Sequence, residues 1–339
     1  MTGVSESLRA LRRGWRRFWF EPQSPTNLAV CRILFYGTVF LIFVRRDFSE
    51  WGGVSGVFWR PIPLFRSLHL GQPSSELLHV VQAVWKVSLA ASCLGVLTRF
   101  FGAAAFLSGT YLLGLLFTFG RYGHANSIIV LVMGILALSR CGDALSVDRY
   151  IRSRRGEPAP APDAEYRWPI RLVWVVFAFV FFGGGVAKLR HAGLAWAMSD
   201  TLAVYVVQAA IPLARPAGPP LTDWGFWIAR HAWLCRAIAA GTLVIELGYP
   251  LALFVRSLRR IIVPAGFLMQ LGITALILPD FNQFLIAYVF WVPWERVAGR
   301  MPHRGSAREA KRSSGGVPLA ESVASPAQPT YSGNGRPRP

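Results

Sequence analysis

The sequence predicts an all-α fold: a polytopic transmembrane helical bundle of about eight spans, with an N-terminal interfacial amphipathic helix. Three observations predict it. Apolar residues make up 53% of the 339, and the mean hydropathy is +0.39, above what a soluble domain carries. Those residues gather in runs that approach the roughly 20 helical residues needed to cross a hydrocarbon core. The cations flank these runs or fill loops, with few inside them, which is the usual signature of membrane topology.

Residues 8–20, LRALRRGWRRFWF, put Leu8, Leu11, Trp15, Phe18 and Trp19 on one helical face. Arg9, Arg12, Arg13, Arg16 and Arg17 occupy much of the remainder, a pattern suited to a helix lying on the membrane surface. Glu21 and Pro22 interrupt before the first apolar run and no small-residue cleavage site follows, so that run reads as a retained anchor. The spans expected are 27–44, 77–97, 100–120, 124–139, 168–187, 232–255, 261–278 and 281–294. The fourth and eighth are short for a perpendicular crossing and call for tilt or a re-entrant path. Pro279-Asp280 ends the seventh.

Between the spans, residues 45–76 hold Trp51, Trp59 and several prolines, a loop that its aromatics would settle at the interface. Residues 196–211 read as an interfacial or pocket-covering helix, and 150–167 as a solvated linker. The organisation is therefore a basic tail and amphipathic helix over 1–26, a transmembrane domain over 27–295, and a disordered basic tail over 296–339, where Arg, Ser, Gly and Pro dominate.

Counting cations orients the bundle. With eight spans, one side holds the five N-tail arginines, Arg99, six cations in 140–167, three in 256–260 and eight in the C-tail, or 23 of 36; the other side holds 9. The excess makes both termini cytoplasmic and the protein a multi-pass resident of the cell membrane. The net charge of +19 then reflects topology and attraction to lipid headgroups, and no basic recognition helix or zinc spacing points to nucleic acid. Cys31, Cys93, Cys141 and Cys235 show no CxxC, and the histidines form no HxxH or HxxxH cluster, which argues against a disulfide framework or a metal centre.

Two polar residues at the mouths of spans are the candidate site. His124 opens the fourth span within RYGHANSIIVL. Lys188 follows Gly183-Gly184-Gly185 after the fifth; the three glycines would let another backbone or a flat ligand approach. Only three lysines occur in the chain, so one at this boundary stands out. Taken singly, His124 reads as a helix-capping histidine and Lys188 as a snorkelling anchor. A Lys188 turned into the bundle would instead be desolvated and become available as a base. Charges inside spans need partners as well: Glu246 and Lys86 both fall near mid-span and are expected to face each other. Arg32, Arg171 and Arg236 lie towards span ends and could snorkel, Gln270 and Phe284 could line a cavity, and Asp143 and Asp148 would cap helices or loops.

The words WRRFWFEPQSPTNLAVCRILFYG, GHANSIIVLVMGILALSRCGDALSVD, WPIRL with GGGVAKL, and IELGYPLALF resemble the HTTM domain family, the membrane family that includes vitamin K-dependent gamma-glutamyl carboxylase. The resemblance covers roughly residues 12–295. It implies that Lys188 is a base acting on a reduced quinone as cofactor, with His124 its polar partner, in an exterior-facing pocket near Trp196. This chain departs from the carboxylase in lacking a large domain after its spans, in carrying Ala187 before the lysine, and in the wider spacing to Trp196. Those departures argue against glutamate carboxylation and leave a quinone, a lipid or a secreted peptide as the expected ligand.

The alternative is a non-catalytic accessory protein for export, maturation or immunity of a secreted peptide, working with a membrane partner protein. A third reading is a polyprenyl-phosphate-dependent glycosyltransferase, prompted by Asp47 and Glu50 after the first span.

Overall fold

The computed structural model describes residues 2–120, 124–210, 223–277 and 282–298. Helices account for all regular structure among them: no strand forms, and one isolated bridge pairs the backbones of Gln23 and Asp163, each N–H donating to the other's carbonyl at 3.0 Å. Five helices are long and apolar enough to cross a membrane.

The helices run in chain order as α1 (Thr2–Phe20), α2 (Pro25–Phe43), α3 (Pro63–Ser67), α4 (Ser75–Leu94), α5 (Thr98–Thr118), α6 (His124–Leu138), α7 (Val147–Arg154) and α8 (Trp168–Ala192). They continue as α9 (Ala195–Met198), α10 (Thr201–Ala210), α11 (Trp224–Ala229), α12 (Ala232–Gly248), α13 (Leu251–Phe254), α14 (Arg256–Ile277), α15 (Asn282–Ala287) and α16 (Trp294–Ala298). The arginine-rich segment is helical, and its arginines are exposed. At its C-terminus, the Arg167 guanidinium donates to the Phe18 carbonyl at 3.0 Å and pairs with Glu21 at 2.7 Å, tying it to the start of α8.

Local signals explain the boundaries. The Ser24 hydroxyl accepts from Thr26 N–H at 3.2 Å with Pro25 at the first helical position of α2, the pre-organised start such a proline provides. Ser74 caps α4 in the same way. Gly95 ends α4 at φ +74, a left-handed conformation suited to glycine, and a Cβ there would collide with the Arg32 guanidinium and Ser146.

The core lies between α2, α4, α5, α6 and α8. Phe35, Tyr36, Phe43, Phe48, Trp85 and Phe177 are all buried, with Phe43 and Trp85 ring centroids 5.1 Å apart. Such aromatic burial dominates packing energetics in helix bundles. In the 45–76 connection, Trp51 and Trp59 both pack on Phe119, at 5.1 and 5.6 Å.

Several expectations need correction. The sixth segment breaks into α12 and α13 at Gly248-Tyr249-Pro250, where proline supplies no amide for the ladder. The eighth contains α15 and then a 3-10 turn over Tyr288–Trp291, and that turn is too short to cross alone. The helix expected over 196–211 splits into α9 and α10 at Ser199-Asp200. Arg32 does not snorkel: its side chain is fully buried and donates to the carbonyls of Cys141 at 3.3 Å and Leu145 at 2.6 Å. The tail expected to be disordered lies outside the described residues from 299 onward.

Candidate functional site

Helix α8 continues past residue 187, where the hydropathy falls, because backbone hydrogen bonding is indifferent to Lys188, Arg190 and His191. It stops at Gly193, whose φ of +57 and ψ of −148 leave helical space. Lys188 is therefore a helix-interior residue whose side chain is held by position. Its Nζ donates to both carboxylate oxygens of Glu246 on α12, at 2.6 and 2.7 Å. The side chains are 23% and 9% exposed, so the pair is largely out of water, where an ion pair is strong only if both charges remain matched.

The glycines make this pairing possible. A Cβ on Gly184 would lie 3.5 Å from a Glu246 oxygen, and one on Gly185 would press within 3.0 Å of the Leu247 side chain. Side chains of α12 fill the space that the sequence left open for a backbone or a flat ligand. Gly183 faces open space.

Trp196 completes the local arrangement. Lys188 Nζ lies 5.3 Å from the centroid of its ring, a cation–π contact, and the Tyr205 ring on α10 lies 5.8 Å further along. Tyr205 opens onto a cleft of about 450 Å³ shared with Asp200, Thr201, Val204 and Gln208. The Trp196 indole N–H is buried without an acceptor. On α14, Gln270 is buried, and its Oε1, together with the Thr274 hydroxyl one turn on, also lacks a partner. Orphaned buried polar atoms are rare and ask for a ligand or water.

The structure thus joins Lys188, Glu246, Gly184, Gly185 and Trp196. It does not join Lys86 to Glu246. The Lys86 ammonium donates instead to the Arg46 carbonyl at 2.9 Å, just past the C-terminal end of α2. His124 begins α6, but its side chain lies outside the described residues. The backbone still locates it: Tyr166 just before α8 reaches the α6–α7 connection by donating to Asp143 at 2.8 Å. The start of α6 consequently points to the same end as Lys188.

The remaining candidates are engaged locally. Asp47 accepts from Ser49 N–H and Gln82 Nε2, both at 2.9 Å; the Ser49 backbone bond foremost, with Gln82, pulls its carboxyl down to about 2. Arg171 lies between aromatic faces, 3.9 Å from the Trp174 centroid and 5.0 Å from that of Phe18. Arg236 makes a long, exposed contact of 3.5 Å with Asp200. No group of three or more His, Cys, Asp or Glu side chains suited to a metal ion occurs among the described residues.

Sequence reasoning found both members of the central pair but matched Glu246 with the wrong lysine, and it missed Tyr205 and Gln208. Their only signal was position on the segment beside Trp196. Comparison with protein-family models, with curated proteins and with solved structures found no match.

Proposed function

We propose that the chain is a multi-pass membrane protein of about eight crossings with cytoplasmic termini, and that the Lys188–Glu246 pair is the acid–base centre of an exterior-facing pocket. Its ligand is a quinone, a lipid or a secreted peptide, the role that the HTTM resemblance implies. The observation that carries this reading is a desolvated Lys–Glu pair beside Trp196 and an open cleft, with unpartnered polar atoms close by in the same half of the bundle. An intramembrane ionisable pair is a functional candidate by default.

Moving one proton from the Lys188 ammonium to the Glu246 carboxylate converts the ion pair into a neutral amine and a neutral acid. A low-dielectric setting favours that exchange. The neutral amine then accepts a proton from an acidic O–H or C–H of a ligand stacked on Trp196, leaving an anion beside the regenerated ammonium. Glu246 then gives up its proton to water, which restores the ion pair, and Trp196 with Tyr205 offers flat surfaces for an unsaturated ring.

Mass spectrometry of lipids and quinones co-purified with the wild type and with Lys188→Ala tests this. The wild type should retain a ligand that the variant loses, and Lys188 should be shielded from amine acylation only while the ligand is present. Equal retention by both would overturn the reading. One observation favours a second reading, an accessory protein without catalysis: Glu246 engages Lys188 with both oxygens, as a clamp between α8 and α12 would. In that case the double variant Lys188→Met/Glu246→Leu keeps full biological activity.

A further inference from the structure

A cavity of about 760 Å³ lies at the opposite end from Lys188. Helices α5 and α7 and the end of α6 build it. Arg99, Arg140, Arg152 and Arg155 line its charged side, and Leu97, Phe100 and Ile151 its apolar side. Two carboxylates also border it, but both are already spent. Asp143 takes Arg140 at 2.8 Å, Arg152 at 3.0 Å and the Tyr166 hydroxyl. Asp148 takes the Leu97 and Thr98 amides, each at 2.8 Å, and the Thr98 hydroxyl at 2.6 Å.

Those commitments leave cationic capacity facing the cavity. Arg99 and Arg155 are exposed and form no ion pair with any described acid. Arg140 places Nε and Nη2 on Asp143, while Arg152 donates Nη2 to Asp143 and the Gly142 carbonyl and Nε to the Asp148 carbonyl; in both, Nη1 is left for an incoming acceptor. Guanidinium forks match phosphate oxygens. The apolar side does not end at the cavity: Phe100, 67% exposed, begins a stripe that continues through Ala103 to Leu107, 66% exposed, on the outer face of α5.

We propose that this crevice seats an anionic phospholipid, its phosphate on the arginines and an acyl chain along Phe100, Ala103 and Leu107. Charge complementarity and the continuity of basic pocket with apolar stripe select an amphiphile over a soluble anion. Basic pockets between helices on the cytoplasmic side are suited to lipid headgroups, and the cation count assigns this end to that side. The site is independent of the Lys188 reading.

The test uses the full-length protein in detergent, titrated with phosphatidylglycerol or with phosphatidylcholine of the same chains and followed by native mass spectrometry. Phosphatidylglycerol should bind more tightly, and Arg99→Gln/Arg155→Gln should weaken it by roughly thirtyfold with no change in melting temperature. Arg155→Gln alone, on an exposed helix end, keeps the test decisive if the Arg99 substitution disturbs α5. Equal binding of the two lipids, or unchanged binding by both variants, would overturn the proposal. So would displacement of the lipid by inorganic phosphate at matching concentration, which would mark a free-phosphate site instead.

Discussion

At one end of the bundle Asp143 gathers Arg140, Arg152 and Tyr166, while Asp148 braces the first turn of α5. At the other, Lys188 and Glu246 hold each other, with the Trp196 ring as the lysine's further contact. Each charge in the first network has two or more partners, so loss of one contact is shared. Glu246 has one. The comparison separates a mesh that fastens helix ends from a single matched pair that one substitution breaks.

Lys188→Met should have the largest effect. It strands Glu246 in an apolar bundle and should lower stability by about 3 kcal/mol; thermal unfolding in detergent measures this. Adding Glu246→Leu should restore most of that loss while ligand retention stays abolished, so that stability and binding part company. Full recovery of both would reduce the pair to a fastener.

Asp143→Asn removes charge from the middle of the mesh and should cost less, about 2 kcal/mol, because Arg140 and Arg152 are partly exposed and can turn to water. A loss as large as that of Lys188→Met would erase the proposed contrast between the two ends.

Asp148→Ala deletes the brace on α5 and should cost about 1 kcal/mol. Burial opposes ionisation of Asp148, but the Thr98 hydroxyl and the two amides outweigh it and hold the carboxyl below its usual range. Its stabilisation is present above the unfolded carboxylate's pKa and is lost as pH falls through the lower folded value. Asp47, held at about 2, should follow the same course between roughly pH 4 and pH 2. An acid titration of unfolding in the wild type and Asp148→Ala should therefore converge at low pH. Lys86→Met should have the smallest effect, below about 1 kcal/mol, since it removes one hydrogen bond to a backbone carbonyl at a helix end.

The helical class and the approximate positions of the helices were legible because long apolar runs leave few alternatives. Boundaries were less so. The end of α8 is set by a glycine conformation at 193, whereas hydropathy marked 187. That difference of five residues turned Lys188 from a boundary anchor into an inward-facing partner. Depth counting paired Glu246 with Lys86 because both sit near mid-span, but rotation about the helix axis decides which neighbour a side chain meets, and Gly184 and Gly185 decide it here. The arginine crevice was invisible for a related reason: Arg99, Arg140, Arg152 and Arg155 come from three segments whose approach depends on Asp148 and the α4–α5 turn.

Arg32 also has a consequence in time. Its carbonyl partners belong to residues 141 and 145, and Leu145 is 113 positions further along the chain. If α2 enters the bilayer as it is made, the guanidinium stays uncompensated until that connection emerges, a wait of about 6 to 23 s at typical elongation rates. During this interval the first apolar segment is a provisional lodger, held by its flanks and its apolar surface. Arrest of synthesis before residue 145 should leave α2 extractable by alkaline carbonate, and arrest beyond it should leave it fixed.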